Sequence, residues 1–240
     1  MIAAEWFFIL ALLIRYVSSQ LLDPQCSHYS PNENQDAPWI AQIISTTKNC
    51  TGVLINKHFV LTAASCVAEG KSSFFCLSSD CPNWIPVKTV HIPKPYNANG
   101  KDIALLELKT PVDYKRIRPI CILLTEFNLE DGMILKGWTG RSRTTKITKL
   151  NNIDCRNSFG NFPNSLQICA GSKTNKVCEE YGSPLGIDAF SSSLAGYVLI
   201  GIQMYGASGI CVYSDISAYI DWIVSVVLKV EILINVLSYT

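Results

Sequence analysis

Short runs of β-branched and apolar residues, each closed off by Gly, Pro or Asn, set the strongest limit on how this chain folds. WIAQIIST (39–46), TGVLIN (51–56), HFVLTAA (58–64), PVKTVHI (86–92), DIALLEL (102–108) and YVLIGIQMY (197–205) each have the length and composition of one strand. No long amphipathic segment interrupts them until ISAYIDWIVSVVLKVEILINVL, where apolar residues recur at helical spacing from Ile216 to Leu237. The pattern predicts an all-β chain with a terminal helix, in a sandwich or a barrel. At 240 residues, 48% of them hydrophobic, the chain suits one sizeable globular unit. A formal charge of +1 gives no reason to invoke nucleic acid or an anionic membrane as partner.

The two ends are more apolar than the middle. From Trp6 to Ile14 the chain is almost wholly apolar, and the small residues Ser18 and Ser19 follow. This resembles a secretory signal cleaved near Ser19, and the run is too short to span a bilayer. At the other end, Asp221, Lys229 and Glu231 interrupt the helical pattern. Charges at mid-membrane cost about 2.5–3.5 kcal/mol each, so the expectation is a helix packed on a barrel, not one that crosses a membrane.

Ten cysteines follow the leader. In an oxidising compartment an even count predicts five disulfides, each stabilising by about 2–4 kcal/mol. A metal would need paired Cys or His ligands at short spacing, and His28, His58 and His91 sit near no such pairs. No metal or cofactor is expected.

Nine strings now fall in one order: PWIAQI, CTGVLI, FVLTAASC, DIALLEL, IRPIC, GW at 137–138, QICAG, SPLG and VYSDISAYIDWI. Together they resemble the landmarks of the trypsin/chymotrypsin serine proteases, from about Pro38 to Ile223. The resemblance implies two six-stranded antiparallel β-barrels with a cleft between them and a C-terminal helix. It also implies disulfides Cys50–Cys66, Cys155–Cys169 and Cys178–Cys211, with Cys26–Cys121 tying the N-terminal segment to the domain. Cys76 and Cys81 would then close a small loop of their own. The implied divisions are a signal over 1–19, a tied segment over 20–37, the protease domain over 38–223 and an apolar helical extension over 224–240.

Members of that family work through a serine nucleophile, a histidine that takes its proton and an aspartate that holds the histidine. Asp102 in KDIALLEL matches the aspartate. Where the histidine of TAAHC belongs, this chain reads TAASC with Ser65, and a serine hydroxyl accepts no proton near neutral pH. The nucleophile's string, C-x-G-D-S-G-G-P-L, is one residue shorter here, CEEYGSPL. Counted back from Pro184, Tyr181 takes the nucleophile's place; counted forward from Cys178, Gly182 does. Ser183 is the one serine in this loop, and it falls on a turn glycine.

Other requirements of the resemblance are missing as well. Glu179 or Glu180 replaces the glycine that lets backbone amides reach a developing oxyanion. The stretch CSHYSPNENQDAPW holds no Arg, no Lys and no Ile-Val-Gly-Gly, so nothing there matches an activation site. The acceptor for a freed amine is absent or displaced by Glu180. A second-barrel serine that holds the aspartate is matched by Met204. By resemblance, Lys176 stands at the floor of a specificity pocket that Met204, Tyr205 and Gly206 line. With two partners of Asp102 gone, the Ser65 hydroxyl is expected to donate to it. Asn49-Cys50-Thr51 fits a glycosylation sequon.

The sequence thus predicts a secreted homologue lacking the catalytic His and Ser. It would act by binding extracellular proteins: proteases, their inhibitors or their substrates. The competing expectation is an atypical active serine-type endopeptidase, and a third makes the apolar C-terminal end an anchor.

Overall fold

In the computed structural model, the residues described are 21–26, 37–44, 49–68, 74–76, 84–97, 100–114, 117–125, 127–140, 143–160, 164–171, 178, 180–190, 195–207 and 209–230. Six strands come first: β1 (Ile40–Ile44), β2 (Asn49–Asn56), β3 (Phe59–Thr62), β4 (Phe74–Cys76), β5 (Ile85–His91) and β6 (Ala104–Leu108). They pair antiparallel in the order β1-β2-β3-β6-β5-β4, and β4 returns to β1 through Gln42↔Cys76 and Ile43↔Phe75. The ring is a closed barrel. Val53, Leu54, Val60, Leu61, Leu105 and Leu106 are fully buried, which explains why these runs read so clearly as strands.

The second set holds β7 (Ile134–Thr139), β8 (Arg143–Lys149), β9 (Gln167–Gly171), β10 (Pro184–Phe190), β11 (Ala195–Ala207) and β12 (Ile210–Asp215). Their order is β10-β11-β12-β9-β8-β7. Two of its seams are short: β7–β10 rests on Leu185↔Gly137 and Gly186↔Lys136, and β8–β9 on Thr148↔Gly171 and Lys149↔Ala170. Between β8 and β9 lies a helix the sequence pattern missed, α1 (Asn152–Phe159). The Asn151 side chain accepts the Asp154 amide at its start, and Gly160 ends it in the left-handed conformation at φ 72°. Cys155 ties it to β9.

The two halves meet over a shared core. Trp39, just before β1, packs edge-on against Trp138 of β7 (centroids 5.9 Å) and Tyr197 of β11 (5.7 Å). The closing helix α2 (Ile220–Leu228) buries Ile223 completely in that same core, with Ile220, Trp222, Val226 and Val227 packed against it. Sequence periodicity extends to Leu237, but the helix stops at Leu228. Lys229 turns left-handed (φ 54°), and its ammonium lies 3.6 Å from Glu107 on the first barrel. Residues 231–240 lie outside the described ones, as do residues 1–20, which include the signal expected over 1–19. Among the described residues, no helix is long and apolar enough to cross a membrane.

Four of the five expected disulfides are in place: Cys26–Cys121, Cys50–Cys66, Cys155–Cys169 and Cys178–Cys211. The Cys76–Cys81 pairing falls outside the described residues, because Cys81 does. The N-terminal segment is further held by the Leu22 amide on the Ile122 carbonyl (3.0 Å) and by the Tyr114 hydroxyl donating to Asp23 at 2.5 Å.

Candidate functional site

Asp102 sits just before β6, only 1% exposed. A carboxylate buried this deeply needs donors. One comes from the main chain: the Ser65 N–H donates to Asp102 Oδ1 at 2.6 Å. The expected hydroxyl contact is not the one formed. Ser65 Oγ is buried and meets no hydrogen-bond partner. The reason is local: Ser65 is the middle residue of a 3-10 turn (Ala64–Cys66), whose amide faces the carboxylate and leaves the side chain to point elsewhere. From the second barrel, Ser214 Oγ of β12 donates to the Asp102 carbonyl at 2.9 Å. This contact is to the main-chain carbonyl of Asp102 and not to its carboxylate, which the expected second-barrel serine would hold.

Tyr219 is the other hydroxyl under the influence of Asp102. Its ionisation is pushed up to about 12, first by burial and then by the negative charges of Asp102 and Asp215. The described histidines have other surroundings. His58 lies exposed in the β2–β3 turn, with its amide on Asn56 Oδ1, and His91 Nε2 lies 3.5 Å from Glu107. His28 lies outside the described residues.

The loop that carries Tyr181 is fastened to both barrels by its backbone. The Thr51 amide of β2 donates to the Tyr181 carbonyl (2.8 Å), and Cys50 pairs with Tyr181 as an isolated parallel bridge. Because Cys50 is bonded to Cys66, neighbour of Ser65, these links bring the loop to the strand and turn that carry Ser65. Next, the Gly182 amide donates to the Gln203 carbonyl (2.8 Å), and the Gln203 amide returns to the Ser183 carbonyl (2.9 Å). Gly182 has φ +80°, and a Cβ there would run into the Thr51 carbonyl and lie 2.6 Å from Thr62 Oγ1. Position 182 therefore accepts no side chain. Tyr181 is half-buried, packed against the large core cluster. Ser183 is 3% exposed, with its hydroxyl unpartnered.

These folded residues match one protein family over most of the chain: the trypsin family model covers residues 27–223. The chain belongs to the trypsin family. Among curated relatives of this trypsin-family chain, melanization protease 1 of Drosophila melanogaster is 26% identical over 79% of the chain and 62% of that protein. Phenoloxidase-activating enzyme 1 of Spodoptera litura is 26% identical over 78% of the chain, again 62% of its own length. The chain thus spans less than two thirds of either relative. Mouse kallikrein 1-related peptidase b5 is 25% identical and is covered almost throughout, with 93% of this chain and 99% of that one aligned. Among solved structures, a scabies mite inactivated protease paralogue superposes with a TM-score of 0.66 at 20% identity, over 85% of this chain and all of that one. That likeness is one of fold, a mostly β, chymotrypsin-like architecture with a C-terminal helix.

Other predicted site residues of this trypsin-family chain are spread more widely. Met204, expected at a specificity pocket, is buried. A bulge in β11, between the Gln203↔Tyr213 and Tyr205↔Val212 pairs, turns it inward. It is 1% exposed, in a small core with Cys155, Cys169 and Val212. Tyr205 packs its ring edge-on to Phe159 (5.3 Å), and burial raises its ionisation. Gly206 lies so close to Cys178 that a Cβ would collide with it. Lys176 and Glu179 lie outside the described residues. Asn49 opens β2 opposite Ile44, and its sequon partner Thr51 is buried.

Sequence reasoning missed the roles of Thr51 and Gly140. Glu180 Oε2 accepts the Thr51 hydroxyl at 3.0 Å and the Gly140 amide at 3.1 Å. The carboxylate expected to crowd an oxyanion hole is thus held by donors from β2 and from the turn after β7. Neither donor is near Glu180 in sequence, so no local string could have pointed to them.

Proposed function

We propose that this chain is a secreted, non-catalytic member of the trypsin family that acts by binding proteins of extracellular proteolytic pathways. One observation carries the reading: Ser65 stands at the position of the family's histidine, and its main-chain N–H, not its hydroxyl, meets the Asp102 carboxylate. Hydrolysis in this family needs a base that strips the nucleophile's proton and an orienting group behind that base. Here the orienting group survives without the base. The nucleophile's place falls on Tyr181 or on Gly182, neither of them a serine, and the lack of room for a side chain at 182 supports the first. Losing triad members removes a factor of about a million in turnover by precedent.

Ser183 favours the same conclusion. It is the remaining serine of the loop, nearly sealed from solvent and fixed by backbone bonds on both sides. An atypical endopeptidase would need it exposed beside a base. Four disulfides suit an oxidising compartment and hence secretion. Names such as melanization protease and phenoloxidase-activating enzyme among the relatives suggest proteases of such cascades, their inhibitors or their substrates as partners. A protein interface of ordinary size, about 1,200–2,000 Å² in total, fits on a domain of these dimensions.

The test is incubation of the purified protein with a fluorophosphonate probe and a panel of fluorogenic peptides. The expected result is no adduct and no turnover above buffer. A probe adduct on Ser183 that disappears on denaturation would replace this reading with the endopeptidase one. A pull-down from the native extracellular fluid is expected to retain a protease, an inhibitor or a protease substrate.

A further inference from the structure

We infer that Glu180 is a built-in tie that sets the 180–183 loop in its final form within the uncleaved chain. The evidence is one carboxylate oxygen with two donors from opposite halves of the molecule. Thr51 Oγ1 belongs to β2 of the first barrel, and the Gly140 amide belongs to the turn that leaves β7 of the second. Thr51 is 6% exposed and Glu180 half-buried, so the bond lies partly shielded from solvent. Gly140 holds φ +61°, a left-handed conformation that favours glycine at this turn.

Around this tie the backbone closes a short circuit. The Ser183 amide donates back to the Glu180 carbonyl (3.3 Å), Gly182 and Ser183 bond to Gln203, and Tyr181 bonds to Thr51. Upstream, Cys178 is anchored to Cys211 on β12. Every donor in the circuit comes from inside the domain, and none is a chain terminus. The loop therefore needs no cut elsewhere to become ordered, and a partner meets the same surface from the moment the chain has folded. This conclusion does not depend on whether the protein hydrolyses anything.

The experiment is residue-resolved hydrogen exchange on the intact single chain, beside Glu180→Ala, Glu180→Gln and Thr51→Val. In the wild-type chain the Gly140 and Gly182 amides are expected to be protected. In Glu180→Ala the same amides exchange faster by about tenfold or more, while those of β3 and β6 keep their rates. Glu180→Gln, which keeps an acceptor oxygen, retains most of the protection, and Thr51→Val falls between. If the alanine variant fails to fold, the other two and the wild type still decide the matter. Unprotected loop amides in the uncleaved wild-type chain, or unchanged rates in all three variants, would overturn the inference.

Discussion

A buried carboxylate with a main-chain donor and a buried hydroxyl with none make Asp102 and Ser65 an unequal pair. Replacing Asp102 by Ala leaves the Ser65 amide without its acceptor, and the expected loss is about 1–3 kcal/mol of stability. Ser65→Ala removes only an unpartnered hydroxyl, so the urea midpoint should stay put or rise slightly. If the serine variant lost as much as the aspartate variant, the hydroxyl would have a role that its geometry does not show. Tyr219 adds a pH signature. Its hydroxyl ionises near 10 in an unfolded chain and near 12 when folded. The stability gained by keeping it neutral is therefore complete below about pH 10 and is lost as pH climbs toward about 12. Tyr219→Phe should flatten that stretch of the alkaline stability curve, as measured by denaturant midpoints on either side of pH 10.

At the scale of elements, burial alone did not decide what was legible from sequence: β5 was read as a strand although none of its side chains is buried, while β9 and β12, each with four buried residues, were not. β2, β3, β6 and β11 are apolar, and each was read as a strand within a few residues. β8 was not, because among its described side chains (144–149) only Ile147 goes fully inside and its composition reads as surface. Helix α1 was missed for a related reason. It buries only Cys155 and is held by caps and a disulfide instead of an apolar stripe. In the candidate site, the serine at position 65 was visible in one string, TAASC. The register of the neighbouring loop was not, since a string one residue short leaves both Tyr181 and Gly182 open as matches to the nucleophile's position. Helix α2 was expected to run on to Leu237 because periodicity continues, but a left-handed Lys229 ends it. What it contributes is concentrated at Ile223. Ile223→Ala should cost about 2–5 kcal/mol in equilibrium unfolding, as expected for a fully buried aliphatic residue.

For the whole molecule, the same cluster that joins the barrels also gives them an optical label. The indoles of Trp39 and Trp138 stand 5.9 Å apart at 87°, one from each half, and Tyr197 stands 5.2 Å from Trp138. Two indoles this close are expected to couple on excitation, and the measurement is a search for a paired positive and negative band in near- and far-ultraviolet circular dichroism. Trp138→Phe should erase the pair and leave the backbone spectrum intact. Any condition that slides one half of the protein off the other would dim the same signal before the strands melt. The seam can thus be watched in real time, with no dye attached and no partner known.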